Sequence, residues 1–420
     1  MSERSERTTS AVPYSARSAE PFTESVDHDM VEEARALQPL LAANAARCED
    51  ERRIPDENLA ALDGAGLFAT VAPKRCGGRG TTMATQLAVA AALGQGCAST
   101  AWVQTLIAVT TWAASRLARE GQAEIFGDGD DRSAGRDRIP RVCGVVAPTG
   151  TATAVDGGFR VTGRWGFASG SLHADWCGCG VQLVDPDGDG RPGGQDLAYL
   201  PLAELTVEDT WYVAGMRGTG SNTVVADDVF VPARRMALSG FATGTPTPPE
   251  SQAPSDAWPL GGVLAVVLLG PLLGVAEAAL AAVVAKADRR GISYTSFARQ
   301  TDSSVVLADI ARAGLDIDTA RMQVLRAAAD IDAAGAGTAP DPVTLGRIRG
   351  ACGYAGETLR RAVDTLVNVG GASSFAEASA LQRHWRDLNV ASRHAFVATG
   401  PALETYGRAL FELEPVMDLV

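Results

Sequence analysis

The 420-residue chain has only four histidines, and they fall in no clustered ligand spacing, so no metal site is expected. It has no Lys/Arg-rich run and a formal charge of −13, which disfavours nucleic acid or an anionic membrane as main partner. A phosphorylated ligand stays open, because one local arginine is enough to bind it. No paired Cys-x-x-Cys occurs among the seven cysteines, and Cys177 and Cys179 are too close for an easy disulfide. They read as reduced thiols in a cytoplasmic protein. The first 25 residues lack the apolar core of a secretion signal. Their Ser, Arg, Glu and Thr predict a disordered tail over 1–25. We find no internal repeat and no glycine fingerprint for a nicotinamide dinucleotide.

Long apolar runs are nearly absent too. The exception, Leu260 to Ala276, carries no charge, is interrupted by Gly270-Pro271 and ends at Glu277. At about 17 residues it is marginal for a bilayer span. A helix buried on all sides of a bundle explains it better.

What is present falls into blocks. Residues 26–141 predict a helical domain. Val31, Ala34, Leu37, Leu40, Leu41 and Ala45 recur at helical spacing. Pro55 opens a second helix, Met83–Leu93 forms a third, and Cys97-Ala98-Ser99-Thr100 caps a fourth running to Arg119. Residues 142–240 change to short valine-rich runs between Gly, Pro and Asp, which predicts a small antiparallel β barrel or sandwich. A Pro/Thr/Ser-rich stretch follows. Residues 258–413 return to long helices, broken at Gly335 to Pro342. The loop Asp185 to Gly190, with Asp196 at the twelfth place, mimics a calcium loop, but it lies between strands and its residues are ordinary in hairpins.

The densest chemistry lies in Gly163-Arg164-Trp165-Gly166-Phe167-Ala168-Ser169-Gly170-Ser171-Leu172-His173-Ala174-Asp175-Trp176, after an Asp156-Gly157-Gly158 turn. Glycines let backbone lie flat against a planar ligand and aromatics stack on one. The same pattern also suits a plain hairpin with a packed aromatic pair. Further along stand Ala214-Gly215-Met216-Arg217-Gly218-Thr219-Gly220-Ser221, Asp228-Val229-Phe230-Val231-Pro232, Gly370-Gly371 and Arg383-His384-Trp385-Arg386-Asp387. In this order and spacing they resemble the acyl-CoA dehydrogenase fold over residues 30–412. The implied architecture is mainly α with a central β domain: an N-terminal helical domain, a small β domain and a C-terminal four-helix bundle.

Within that fold the chain is similar to the two-component flavin monooxygenases (group D). A dehydrogenase of the common type carries a glutamate about eight residues after the Arg-Asp pair, as base for a thioester α-proton. Here that place holds Ala395, beside Arg393-His394. The resemblance implies reduced FMN or FAD supplied by a separate reductase, O2 as co-substrate, a C4a-hydroperoxide in a dry pocket, and a homotetramer. Phe167, Ala168 and Ser169 would face the flavin edge, with Ser169 as hydrogen-bond donor near N5. Arg290 would meet the flavin phosphate from a neighbouring subunit, and Gly370-Gly371 would admit the cofactor. Val367 replaces the family's usual glutamine. His394 fits a general acid/base, its ordinary pKa near 6.5 lying in the useful range. Trp102, Thr110 and Arg393 are candidate substrate contacts, Thr110 standing where phenol hydroxylases often carry a histidine. His173 and His384 read as structural. Ser374-Phe375-Ala376-Glu377-Ala378-Ser379, with the two glycine segments, looks like the nitrososynthases, which oxidise nucleotide-linked amino sugars in antibiotic pathways. A C-hydroxylase of an aromatic or polyketide is the alternative.

Overall fold

The computed structural model describes residues 25–127, 138–184, 192–237 and 253–416. The expected tail, most of the acidic 185–196 loop and most of the Pro/Thr/Ser-rich stretch lie outside the described residues.

Helices come first. The predicted leading helix is two, α1 (His28–Ala36) and α2 (Gln38–Glu51). The break at Leu37 follows from Pro39, which has no N–H to continue a helix but is tolerated in a first turn. Asp27 caps α1 by accepting the Met30 N–H. Then come α3 (Asp56–Gly64), α4 (Met83–Gly96), α5 (Ala98–Ala114) and α6 (Arg119–Phe126). Cys97 sits at the N-cap of α5, which stops at Ala114, short of the expected Arg119.

Among the described residues six strands follow: β1 (Val142–Val155), β2 (Gly158–Ala168), β3 (Trp176–Val184), β4 (Pro192–Pro201), β5 (Thr206–Glu208) and β6 (Asn222–Pro232). The sheet order is β4-β3-β1-β2-β6-β5. The Asp156-Gly157 turn joins β1 and β2 with Val155 opposite Gly158, and Gly157 has φ +76°. The sheet is mixed, because β1 and β3 run parallel while the other pairs are antiparallel. Trp165 is fully buried inside the curl and donates from Nε1 to the Gly180 carbonyl at 2.7 Å.

The second helical block holds α7 (Leu260–Val266), α8 (Leu269–Ala287), α9 (Ser304–Gly335), α10 (Pro342–Gly370), α11 (Ala380–Ala391) and α12 (Thr399–Ala409). The apolar run thus breaks at Val267-Leu268 and not at Gly270-Pro271, since Pro271 fits the first turn of α8. By length and composition Leu260–Ala287 could cross a membrane, yet 94% of its most apolar window is buried inside the chain. Small residues explain how. A Cβ on Gly274 would come within 2.0 Å of the Ala91 carbonyl oxygen, and one on Gly94 within 2.7 Å of that of Pro271. Helices α4 and α8 therefore touch backbone to backbone, and the main apolar core lies around this crossing.

Candidate active site

The end of β2 is built by a register slip. Pairing with β6 shifts between Trp165 and Ala168, and Phe167 within the slip adopts φ +63°. A left-handed phenylalanine is strained by about 1 kcal/mol or more, so tertiary contacts hold it. Its ring is 74% exposed and meets Trp211 edge-on at 5.6 Å. Ala168 behaves differently from expectation: its side chain is fully buried in the β core, so only its backbone can face a ligand. The Ser169 N–H then turns back to the Phe167 carbonyl at 2.9 Å.

Ser169 is buried in a run of hydroxyls. Trp102 on α5 donates from Nε1 to Ser169 Oγ at 3.3 Å. Ser169 Oγ lies 2.7 Å from Ser221 Oγ, and Ser221 Oγ 2.6 Å from Thr219 Oγ1. Thr219 Oγ1 donates to the Met216 carbonyl at 2.9 Å. Gly170 N–H reaches the Thr219 carbonyl at 3.2 Å and holds the two segments together. Met216 is itself left-handed (φ +57°), and its N–H donates to Asp387 Oδ1 at 2.5 Å. Burial pushes the Asp387 carboxyl up to about 7.

His394 shares Trp102 with Ser169, their rings meeting edge-on at 5.9 Å. It stacks on Phe396 at 5.7 Å, and the Arg349 guanidinium lies 5.0 Å over the other ring's centre. Burial, then the Arg349 charge, hold the imidazole down at about 4. A pKa held that low favours the neutral imidazole near pH 7 and weakens it as a base. Its Nδ1 accepts the Phe396 N–H at 3.2 Å, which leaves the proton on Nε2. It can orient an oxygen by donating but is a poor proton acceptor. His173 and His384 are buried and held near 4 as well, and His173 Nε2 accepts the Ile54 N–H at 3.2 Å.

Two further candidates, Thr110 and Arg393, make hydrogen bonds within the chain. The Thr110 hydroxyl bonds to the Leu106 carbonyl at 2.7 Å and to that of Val142, tying α5 to β1. Arg393 is exposed and folds back on its own helix, reaching Asn389 Oδ1 at 3.2 Å.

The remaining three meet in a second cluster. Arg290 donates from Nη1 to the Gly370 carbonyl at the end of α10. A Cβ on Gly371 (φ +64°) would lie 3.5 Å from Arg290 Nη2, so glycine keeps that guanidinium edge open. Gln300 fixes the corner, its N–H on the Arg290 carbonyl and its side chain on the Val369 carbonyl, both at 2.6 Å. Val367 is buried in the helical core and offers no polar contact.

Two carboxylates of the helical domains, Glu277 and Glu49, are engaged in ion pairs. Glu277 accepts from Gln95 at 2.7 Å and pairs with Arg321 between α4, α8 and α9. Glu49 pairs with Arg386. Ala395 begins a single 3-10 turn at the place of the usual base. Among the described residues no group of three or more His, Cys, Asp or Glu could hold a metal.

Sequence reasoning missed Trp211, Ser221, Thr219, Phe396 and Arg349. The Thr219-Gly220-Ser221 signal was visible, but it reads as a turn until β6 is placed beside β2.

The chain has known relatives along most of its length. The acyl-CoA dehydrogenase N-terminal domain model matches residues 27–125 and the C-terminal domain model residues 266–399. The chain is 32% identical over 388 residues to the flavin-dependent monooxygenase oxygenase subunit HsaA of Rhodococcus jostii, covering 91% of this chain and 98% of that protein. It is 31% identical over 399 residues to the oxygenase component of the FADH2-dependent resorcinol hydroxylase of a Rhizobium species, covering 92% and 95%. The structure of XiaF from a Streptomyces species, in complex with FADH2 and glycerol, superposes with a TM-score of 0.87 at 37% identity, covering 94% and 97%. The chain belongs to the oxygenase components of two-component flavin-dependent monooxygenases, built on the acyl-CoA dehydrogenase fold.

Proposed function

We propose that this chain hydroxylates an aromatic carbon, using O2 and reduced FMN or FAD received from a separate reductase. The observation that supports it is that Trp102 contacts both Ser169 and His394, with no carboxylate among the described residues hydrogen-bonded to any of the three. The amino-sugar N-oxidation suggested by the Ser374–Ser379 segment has no counterpart among the relatives named above, and the C-hydroxylase alternative replaces it.

The donor set fits a flavin. Phe167 and Trp211 offer apolar ring surface, Ser169 a hydroxyl, and Arg290 beside Gly371 a cation for a phosphate. When bound, reduced flavin supplies two electrons to dioxygen. The chain's own residues bind, orient and exclude water. Trp102 shields Ser169, and Phe396 and Trp102 hold the His394 ring. His394 Nε2–H would donate to a substrate oxygen and set which ring carbon is presented. Trp102 and Phe396 would pack against the substrate ring.

A homotetramer is part of this reading. Val305, Leu315 and Met322 leave apolar side chains exposed along α9, and Tyr294 and Phe297 do so beside Arg290. A second copy covering that face would bring another protomer's surface to the Arg290 corner.

The test is isotopic. Protein with reduced FMN or FAD, 18O2 and a panel of phenols, indoles and a nucleotide-linked amino sugar is analysed by mass spectrometry. One 18O in an aromatic ring is expected. Label found only on the sugar nitrogen, or nowhere, overturns the assignment.

A further inference from the structure

The hydroxyl run behind Ser169 has a direction, and its two ends set it. Trp102 Nε1 can only donate, and it points at Ser169 Oγ. At the other end the Met216 carbonyl can only accept. It takes the Thr219 hydroxyl at 2.9 Å, besides Trp211 Nε1 at 3.0 Å and the Thr219 N–H at 3.1 Å. Two oxygens at 2.9 Å with no hydrogen between them would repel, so the Thr219 hydrogen is committed to Met216. Thr219 Oγ1 must then accept from Ser221, and Ser221 Oγ must accept from Ser169. The Ser169 N–H is also committed, to Phe167. Asp387 anchors the whole run by holding Met216 from its N–H side.

We infer that Ser221 and Thr219 are positioning residues that polarise Ser169, so that its outward side presents a lone pair and the site selects reduced over oxidised flavin. This reverses the donor role expected for Ser169 and rests on the flavin reading above. The chemistry is that of flavin N5, which carries a hydrogen when the ring is reduced and a bare lone pair when it is oxidised. An acceptor at Ser169 suits the first and opposes the second. No covalent step is involved. The discrimination comes from matched and mismatched hydrogen-bond polarity, whose mismatch costs more than a simple absence of bonding.

The experiment is anaerobic titration of the purified protein with FMN and FAD, oxidised and dithionite-reduced, read as the ratio of the oxidised to the reduced Kd. Ser221→Ala frees the Ser169 hydrogen to turn outward. The ratio should fall about tenfold, by tighter binding of oxidised flavin, and the bound flavin's midpoint potential should drop by about 30 mV, the two-electron equivalent of that factor. Thr219→Val lets Ser221 donate back to Ser169 and should lower the ratio in the same direction, whereas Thr219→Ser should keep the wild-type ratio. In a Ser169→Ala background the Ser221→Ala effect should vanish.

An unchanged or increased ratio in variants that melt like wild type overturns the inference. So does a Ser221→Ala effect of equal size without the Ser169 hydroxyl, which would mark a merely structural role. If the wild-type protein binds neither flavin in either state, the flavin reading itself fails, a result separable from the others.

Discussion

The two candidate clusters differ in how complete they are. The hydroxyls of Ser169, Ser221 and Thr219 each have a partner within the same chain, in a run from Trp102 to Met216 and Asp387. Around Arg290 the chain supplies a cation, an open glycine and a fixed turn, but the neighbouring Tyr294, Phe297 and Phe375 are exposed. The first cluster is finished by folding. The second is a corner that needs something laid against it. A site that controls oxygen chemistry benefits from rigid polarity fixed in advance. A site that grips a phosphate needs only charge and access, and charge tolerates a looser setting.

The largest effect should come from the open corner. Arg290→Ala removes a charge-assisted hydrogen bond, worth about 1.5–3 kcal/mol, and affinity for FMN and FAD should fall by roughly ten- to a hundredfold. Flavin fluorescence titration measures this, and an unchanged Kd would place the phosphate elsewhere. The closed cluster should respond in kind rather than in affinity. Ser169→Ala is expected to change flavin affinity by about fivefold or less but to raise the share of reduced flavin lost as hydrogen peroxide several-fold. Peroxide assays against product yield check it, and unaltered coupling counts against the role given to Ser169.

The smallest effect is a silence. His394 should titrate near pH 4 by NMR, so it should add no ionisation to the kcat profile between about pH 6 and 8. Its folded pKa lies below the unfolded value near 6.5, so between about pH 4 and 6.5 the unfolded chain binds a proton that the fold refuses. Acidification from about 6.5 towards 4 should therefore lower Tm, and His394→Gln should soften that loss. Asp387 acts in the opposite sense: with its carboxyl raised to about 7, its contribution to stability declines as pH rises from about 4 to 7.

The architecture was legible because its signals are local. Helical spacing, the Asp156-Gly157 turn and the Pro342 restart each report on their own neighbourhood. What was not legible depends on contacts distant in sequence. The parallel pairing of β1 with β3 leaves no mark on either strand, whereas the break at Leu37 was a local signal, Pro39, overridden by an apolar spacing that runs through it. The site follows the same rule. Ser169 and Arg290 stood out by residue type and motif. The lowered pKa of His394 depends first on its burial and then on Arg349, 45 residues earlier in the chain, and neither can be read from the sequence around it. Thr110 was singled out because it stands where phenol hydroxylases often carry a histidine, and Arg393 because it lies next to His394 near the place of the dehydrogenase base. Folding gave them partners in Val142 and Asn389.

We propose that the Ser169 cluster governs the reaction of bound reduced flavin with oxygen. Stopped-flow mixing of the reduced-flavin complex with oxygenated buffer tests it most directly. The account predicts that flavin absorbance recovers more slowly than for free reduced flavin, in more than one phase, and that an aromatic substrate diverts the oxygen from peroxide into product. A single phase at the free-flavin rate, with one peroxide per flavin whether or not substrate is present, would contradict it.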